Sequence, residues 1–161
     1  MRLLVIFFSL SFCFQVIDAF PFTGQVISVQ GGGTFEVLRN GKPERIRLHG
    51  IYCPENGQPF SNDAQQATSD LIFSMDVTIE SHGKDKYGRT VAEVQLSDGT
   101  NVNHVLVREG WCWWYRKHAP KDLVLEALEN EARLARKGLW SDPKPVPPWE
   151  WRSVGKQRPS S

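Results

Sequence analysis

Three short strings in this chain carry residue types that could do chemistry. The first is Arg47-Leu48-His49-Gly50-Ile51-Tyr52-Cys53-Pro54-Glu55. The second is Asp85-Lys86-Tyr87-Gly88-Arg89-Thr90, and the third is Gly110-Trp111-Cys112-Trp113-Trp114-Tyr115-Arg116. Arg47, Arg89 and Glu55 are the parts that phosphodiester hydrolysis needs. A guanidinium fork matches phosphate oxygens bidentately and can hold the charge that builds on phosphorus. A carboxylate can orient or deprotonate a water. Taken alone, an Arg–Glu pair is more often a structural ion pair than an active site. The tryptophans of the third string could stack on bases, although such clusters more often belong to a core.

The elements that must position these strings read as strands first and helices later. Strands are expected over residues 22–29, 34–39, 44–51, 76–81 and 90–96, with Gly31-Gly32-Gly33 as a turn and Asn40-Gly41 as a hairpin signal. In the third of these, Ile46 and Leu48 alternate with Arg45 and Arg47, so one face is apolar. Residues 61–73 read as a helix burying Ala64, Ala67, Leu71 and Ile72, with Ser61 or Asn62 as its cap. Helices are also expected over 101–109 and 121–137. The latter has a stripe of Leu125, Leu128, Ala132 and Ala135, and Gly138 as its stop. Five strands, with a helix between the third and fourth and two helices after, suggest a small barrel with helices at one end.

The 161 residues include 19 Lys+Arg and 18 Asp+Glu, a net charge of +1, so bulk basicity gives no argument for a polyanionic partner. With 40% hydrophobic and 23% charged residues the chain should fold. Met1-Arg2, an apolar run over 3–16 and Ile17-Asp18-Ala19 have the order of a secretory signal peptide, expected over 1–19. That run is shorter than the roughly 20 residues of a membrane span. The mature chain would be exported, to the periplasm or the medium, with no stable membrane association and with Cys53 and Cys112 as its cysteines. It is read as one domain over 20–141 followed by a proline-rich tail over 142–161. Charge is uneven: ten basic and six acidic residues from Arg116 onward, against eight and eleven over 20–115.

Together the strings resemble the staphylococcal nuclease (thermonuclease) family. Its pattern runs from a glycine-aspartate turn through Arg-Leu…Asp-x-Pro-Glu and Asp-x-Tyr-Gly-Arg to Leu-Val…Gly and a closing Gly-Leu-Trp. Here Arg47-Leu48, Pro54-Glu55, Asp85-Lys86-Tyr87-Gly88-Arg89, Leu106-Val107, Gly110 and Gly138-Leu139-Trp140 occur in that order. The resemblance, to a secreted bacterial-type member, implies an α+β, mainly β, fold: an OB-type five-stranded Greek-key barrel with three helices. It implies that Arg47 and Arg89 grip the scissile phosphate and that Glu55 handles the attacking water. Lys86 and Tyr87 would lie near the bound nucleotide, and Tyr115 would stack on it. It further implies calcium-dependent cleavage of DNA and RNA, with preference for accessible single strands. A monomer is expected.

The departures from the pattern fall on the calcium ligands. The family's Asp-Gly-Asp-Thr turn is Gly31-Gly32-Gly33-Thr34, so Gly33 replaces one carboxylate, and Tyr52 replaces the aspartate of Asp-x-Pro-Glu. The carbonyl of Cys53, solvent, and Glu55 through water would remain. Calcium takes six to eight oxygens and relies on carboxylates, so weak binding is expected. Glu36 and Asp85 are spare carboxylates, read as surface charges. His49, His82, His104 and His118 lack zinc-ligand spacing with cysteine. Two accounts stay open: a nuclease, weakened or served by another metal arrangement, in which Arg47, Glu55 and Arg89 act; or a non-catalytic OB-type module binding nucleic acid or protein, with those residues kept as an ion-pair network. Cys53 and Cys112 form one disulfide or remain two buried thiols. Pro147-Pro148-Trp149-Glu150-Trp151-Arg152 packs back on the barrel or meets a partner.

Overall fold

Residues 20–155 are described by the computed structural model; the expected signal peptide over 1–19 lies outside the described residues. In chain order the elements are β1 (Phe22–Gly31), β2 (Thr34–Arg39), β3 (Lys42–Leu48), β4 (Ile51–Tyr52), α1 (Ser61–Ile72), β5 (Asp76–Lys84), β6 (Thr90–Gln95), α2 (Val102–Arg108), β7 (Trp113–Trp114), α3 (Leu123–Leu134), a 3-10 turn (Gly138–Ser141) and α4 (Pro148–Gly155). Five of the strands close into a barrel in the order β1-β2-β3-β6-β5. The β3–β6 pair is parallel and the others are antiparallel. This is the five-stranded OB-type barrel of an α+β protein.

Alternation of side chains decides which face of each strand is buried. Ile46 and Leu48 enter the core beside Val26, Phe35, Val37, Ile79 and Val94, while Arg45 and Arg47 point the other way. Asn40 and Gly41 both take positive φ, 50° and 75°, which matches the right-handed twist of the β2–β3 hairpin they join. Gly32 serves a different need. A Cβ there would lie 2.8 Å from Cys53 Cβ and 2.9 Å from Ala64 Cβ, so only glycine lets the Gly32-Gly33 turn approach α1 and the Cys53 segment.

The short β4–β7 pair is the hinge of the site's architecture. It sets Ile51 opposite Trp114 and Tyr52 opposite Trp113, which brings the first and third strings together. Glu129 of α3 fixes β7 from behind. Its carboxylate is fully buried and accepts the Trp114 backbone N–H at 3.1 Å, with Arg133 at 3.1 Å and Arg116 at 3.4 Å on its other oxygen.

Four sequence expectations are corrected. The N-cap of α1 is Phe60, at φ 65° with no side-chain cap bond, because Ser61 is already the first helical residue. The last long helix stops at Leu134, before Gly138: Arg136 takes φ 52°, and Gly138 opens the 3-10 turn against Gly110. The buried face of α3 is Leu125, Glu129 and Ala132; Leu128 is half-buried and Ala135 is exposed. The proline-rich tail contains a fourth helix. Pro148 occupies its first turn, where a missing N–H costs nothing. Helix and strand are therefore present in roughly equal measure. No helix among the described residues is long and apolar enough to cross a membrane.

Candidate active site

At the mouth of the barrel, Arg47 from β3, Tyr52 from β4, the Cys53–Glu55 loop, Arg89 before β6 and Arg152 of α4 line one open cavity of about 400 Å³ with the Gly32-Gly33 turn. A cleft of about 530 Å³ between β1 and α1, lined by Ile27, Gln65 and Phe73 among others, contains no titratable side chain. Arg47, Glu55 and Arg89 meet in the first.

Arg47 lies with its guanidinium 4.4 Å above the Tyr52 ring, and its Nη2 donates to the Ile51 carbonyl at 3.5 Å. Burial lowers its pKa, and the neighbouring charges of Arg89 and Arg152 push the same way. The Tyr52 hydroxyl donates to Glu55 Oε1 at 2.8 Å; burial and that bond push the phenol up to about 12. Glu55 Oε1 also meets Arg152 Nε at 2.5 Å. The loop that carries Glu55 is held by Gln58. Its side-chain oxygen accepts the Glu55 backbone N–H at 3.0 Å, and its amide nitrogen donates to Val146 O at 2.6 Å.

Arg89 is aimed by Asp85. Both its Nη2 and its Nε donate to Asp85 Oδ2, at 2.7 and 2.8 Å. The other oxygen of Asp85 accepts the backbone N–H groups of Tyr87 and Arg89 at 2.9 and 3.1 Å, folding the turn around itself. Burial raises the Asp85 pKa, but these bonds outweigh it and hold the carboxyl below its ordinary value. Asp85 is thus an aiming residue for Arg89, a role beyond the surface charge expected of it. Glu36 faces Ser28 at 3.2 Å and Arg45 at 3.8 Å.

Lys86 and Tyr87 stand exposed on the turn beside the cavity, with Lys86 Nζ 5.0 Å and Arg89 Cζ 5.4 Å from the Tyr87 ring. Tyr115 is enclosed by other rings: Tyr52 edge-on at 5.2 Å, His118 at 4.6 Å and Trp149 at 5.4 Å. With Trp149, Arg116 and Lys117 it lines a second cavity of about 370 Å³. Trp113 and Trp114 are buried, and Trp111 is half-buried. Cys53 and Cys112 are bonded, with S–S 1.97 Å, which ties the Glu55 loop to the end of α2.

The oxygen donors offered to a cation here are few. At the turn, a Cβ on Gly33 would sit 3.2 Å from Cys53 Sγ and 3.4 Å from Arg47 Nη1. A side chain on that position would thus start against the Cys53 sulfur and the Arg47 guanidinium. Tyr52 contributes a hydroxyl already donated to Glu55 and a ring covered by Arg47, with Arg152 5.6 Å from its centroid. Among the described residues, no group of three or more His, Cys, Asp or Glu side chains could hold a metal ion. Four guanidiniums, of Arg45, Arg47, Arg89 and Arg152, line the cavity with one carboxylate, Glu55, which makes it a receptor for anions.

Arg152 and Trp149 in the tail also line these cavities: of the two alternatives for the Pro-Pro-Trp-Glu-Trp-Arg string it packs back on the barrel, although nothing in its spacing names Glu55 as the partner.

The sequence model of the staphylococcal nuclease homologue family matches residues 45–142. A micrococcal nuclease of Shigella flexneri is 40% identical over 144 residues, covering 84% of this chain and 83% of that protein. An uncharacterized endonuclease of Escherichia coli O157:H7 is 42% identical over 129 residues, covering 80% and 84%. Protein ParB of Escherichia coli is 38% identical over 144 residues, covering 84% and 81%. With its barrel, its ordered motifs and these matches over most of its length, the chain belongs to the staphylococcal nuclease family.

Proposed function

We propose that this protein is an exported phosphodiesterase of the endonuclease type that acts on single-stranded DNA or RNA and gains little from calcium. The observation that carries this reading is the convergence of Arg47, Arg89 and Glu55 on one solvent-open cavity. The nuclease names of its relatives support the reaction class.

Arg47 and Arg89 take the nonbridging oxygens of the phosphodiester, and Asp85 keeps Arg89 aimed while they do so. Water attacks phosphorus; its proton passes to Glu55, and the bond from phosphorus to the departing ester oxygen breaks as that oxygen takes a proton from the solvent of the open cavity. The two guanidiniums hold the negative charge that develops on the phosphoryl oxygens. Calcium does not fit this donor set. Gly33 and Tyr52 supply no carboxylate, and the remaining oxygens share the cavity with four guanidiniums. No step is therefore assigned to it. Export rests on the expected signal peptide, and the domain is taken as 20–141.

A second reading is favoured by one contact. Glu55 Oε1 is engaged by both Tyr52 and Arg152, which restrains the carboxylate as a base and suits a non-catalytic nucleic-acid module. The experiment that separates the two is cleavage of single-stranded and duplex DNA and of RNA by the mature chain, with chelator, calcium or other divalent ions. Hydrolysis abolished by Glu55→Ala and by Arg89→Ala supports the phosphodiesterase. Salt-sensitive binding without hydrolysis supports the module. Cleavage that survives both substitutions refutes the assignment of these residues.

A further inference from the structure

We propose that α4 builds a nucleotide subsite beside the phosphate cavity, in which Trp149 stacks on an unpaired base and Arg152 takes the adjoining phosphodiester. The proposal deepens the reading of the cavity as a nucleic-acid site and rests on it. α4 lies beyond the residues matched by the family's sequence model, which end at 142.

The helix is docked as a wall by contacts outside the subsite and by one side of Trp149 itself. Pro148 is buried, and the chain just before it is tied to the Glu55 loop through Val146 and Gln58. The Trp149 ring leans on Tyr115 at 5.4 Å, Tyr52 at 6.2 Å and Trp113 at 6.4 Å. Its remaining surface, 38% exposed, faces the cavity shared with Arg116 and Lys117. A base inserted between two rings needs their centroids roughly 7 Å apart, twice an ordinary carbon contact. Tyr115 and Trp149 are too close for that, so a base stacks on the free side of Trp149.

Charge then fixes the class of ligand. Arg47, Arg89 and Arg152 line the phosphate cavity, while Arg116 and Lys117 line the cavity that Trp149 shares. An aromatic platform on the same helix as a phosphate-cavity arginine, with further cations beside it, fits a strand whose bases alternate with phosphates, and only unpaired bases offer a free face. The Arg152–Glu55 pair does not block this. Arg152 is 58% exposed and Glu55 24%, so solvent screens the guanidinium end of the pair and a phosphate can draw it away. That exchange leaves Glu55 Oε1 with the Tyr52 hydroxyl alone and opens its remaining acceptor capacity to water, which links substrate arrival to a competent base.

The test uses the full mature chain in chelator with a phosphorothioate oligodeoxynucleotide, which resists hydrolysis, and reads equilibrium binding by fluorescence anisotropy. Arg152→Gln should weaken binding for every sequence and reduce the slope of log K against log salt by about 0.7, the share of one phosphate contact on a single strand. Trp149→Ala should weaken binding roughly tenfold, as expected for one lost base stack. An oligonucleotide with abasic positions should bind the wild type more weakly yet bind Trp149→Ala no worse than the intact strand does. Trp149→Phe keeps a ring against Tyr115 and should retain most of the affinity. An unchanged salt slope in Arg152→Gln overturns the phosphate contact, and equal losses on intact and abasic strands overturn the stack. Tighter binding or faster cleavage by Arg152→Gln would make α4 a strap over the site and overturn the proposal. Binding that behaves as expected in a chain that cuts nothing leaves the subsite standing and refutes only the hydrolysis.

Discussion

Reducing the Cys53–Cys112 bond should cost the protein a large share of its stability. The two cysteines are 59 residues apart in sequence, and closing a loop of that length removes entropy from the unfolded chain. In the chain-entropy account the stabilisation is about 4 kcal/mol at 25 °C. With a urea dependence of about 2 kcal/mol/M, the unfolding midpoint should fall by about 2 M. The reduced wild type is the right comparison, because it keeps both sulfur atoms in place in the core. Cys→Ala variants would add the loss of buried atoms to the loss of the cross-link. The assay is urea denaturation followed by circular dichroism with and without a strong reductant, beside a thiol count on unreduced, unfolded mature protein. Two reactive thiols in that count would refute the bond outright. A midpoint shift of only a few tenths molar would refute the loop-closure reasoning even with the bond present. The site should report the change too, since the bond holds the Glu55 loop to the end of α2.

Three further outcomes follow from the geometry. Gly33→Asp with Tyr52→Asp should create calcium-stimulated cleavage and measurable calcium affinity by calorimetry; no gain in either would mean that the missing carboxylates are not what weakens the metal site. Glu129→Leu should destabilise the fold by roughly 1–3 kcal/mol in thermal or urea unfolding, because it leaves the buried Trp114 N–H without an acceptor. His49 is stacked on His82 at 4.0 Å, and burial, then the His82 charge, lowers its pKa. The unfolded chain therefore binds that proton more readily than the folded one, so stability should decline as pH falls below about 6.5. His49→Phe should flatten the profile there, and an unaltered profile would remove His49 as its source.

Much of the site was legible because its motifs are local. Arg47-Leu48 declares a strand with one polar face, Asp85 to Arg89 a tight turn, and Asn40-Gly41 a hairpin. Each rests on backbone preferences that act within a few residues. Glu129 was absent from the expected buried stripe for the opposite reason. Helical periodicity marks a buried face but does not say that a carboxylate on it will find the Trp114 N–H fifteen residues away. Phe60 escaped because its left-handed backbone is imposed by the loop it ends, against the intrinsic preference of a bulky residue.

The sequence by itself determined the family and the barrel's strands, and it named the two arginines and glutamate that line one cavity, because motif order and alternation survive without knowing who touches whom. It also determined the absence of carboxylates at 33 and 52, which is a matter of side-chain chemistry alone. Only the tertiary structure decided what stands around them. It set Tyr52 against Glu55, made Asp85 the aim of Arg89, and folded the tail back so that Arg152 meets Glu55 across 97 residues of chain. The Arg152 contact joins segments whose separation carries no periodic signal, and packing of the whole fold brings them within reach; the Tyr52–Glu55 and Asp85–Arg89 contacts are three and four residues apart, but residue type alone does not say that they pair.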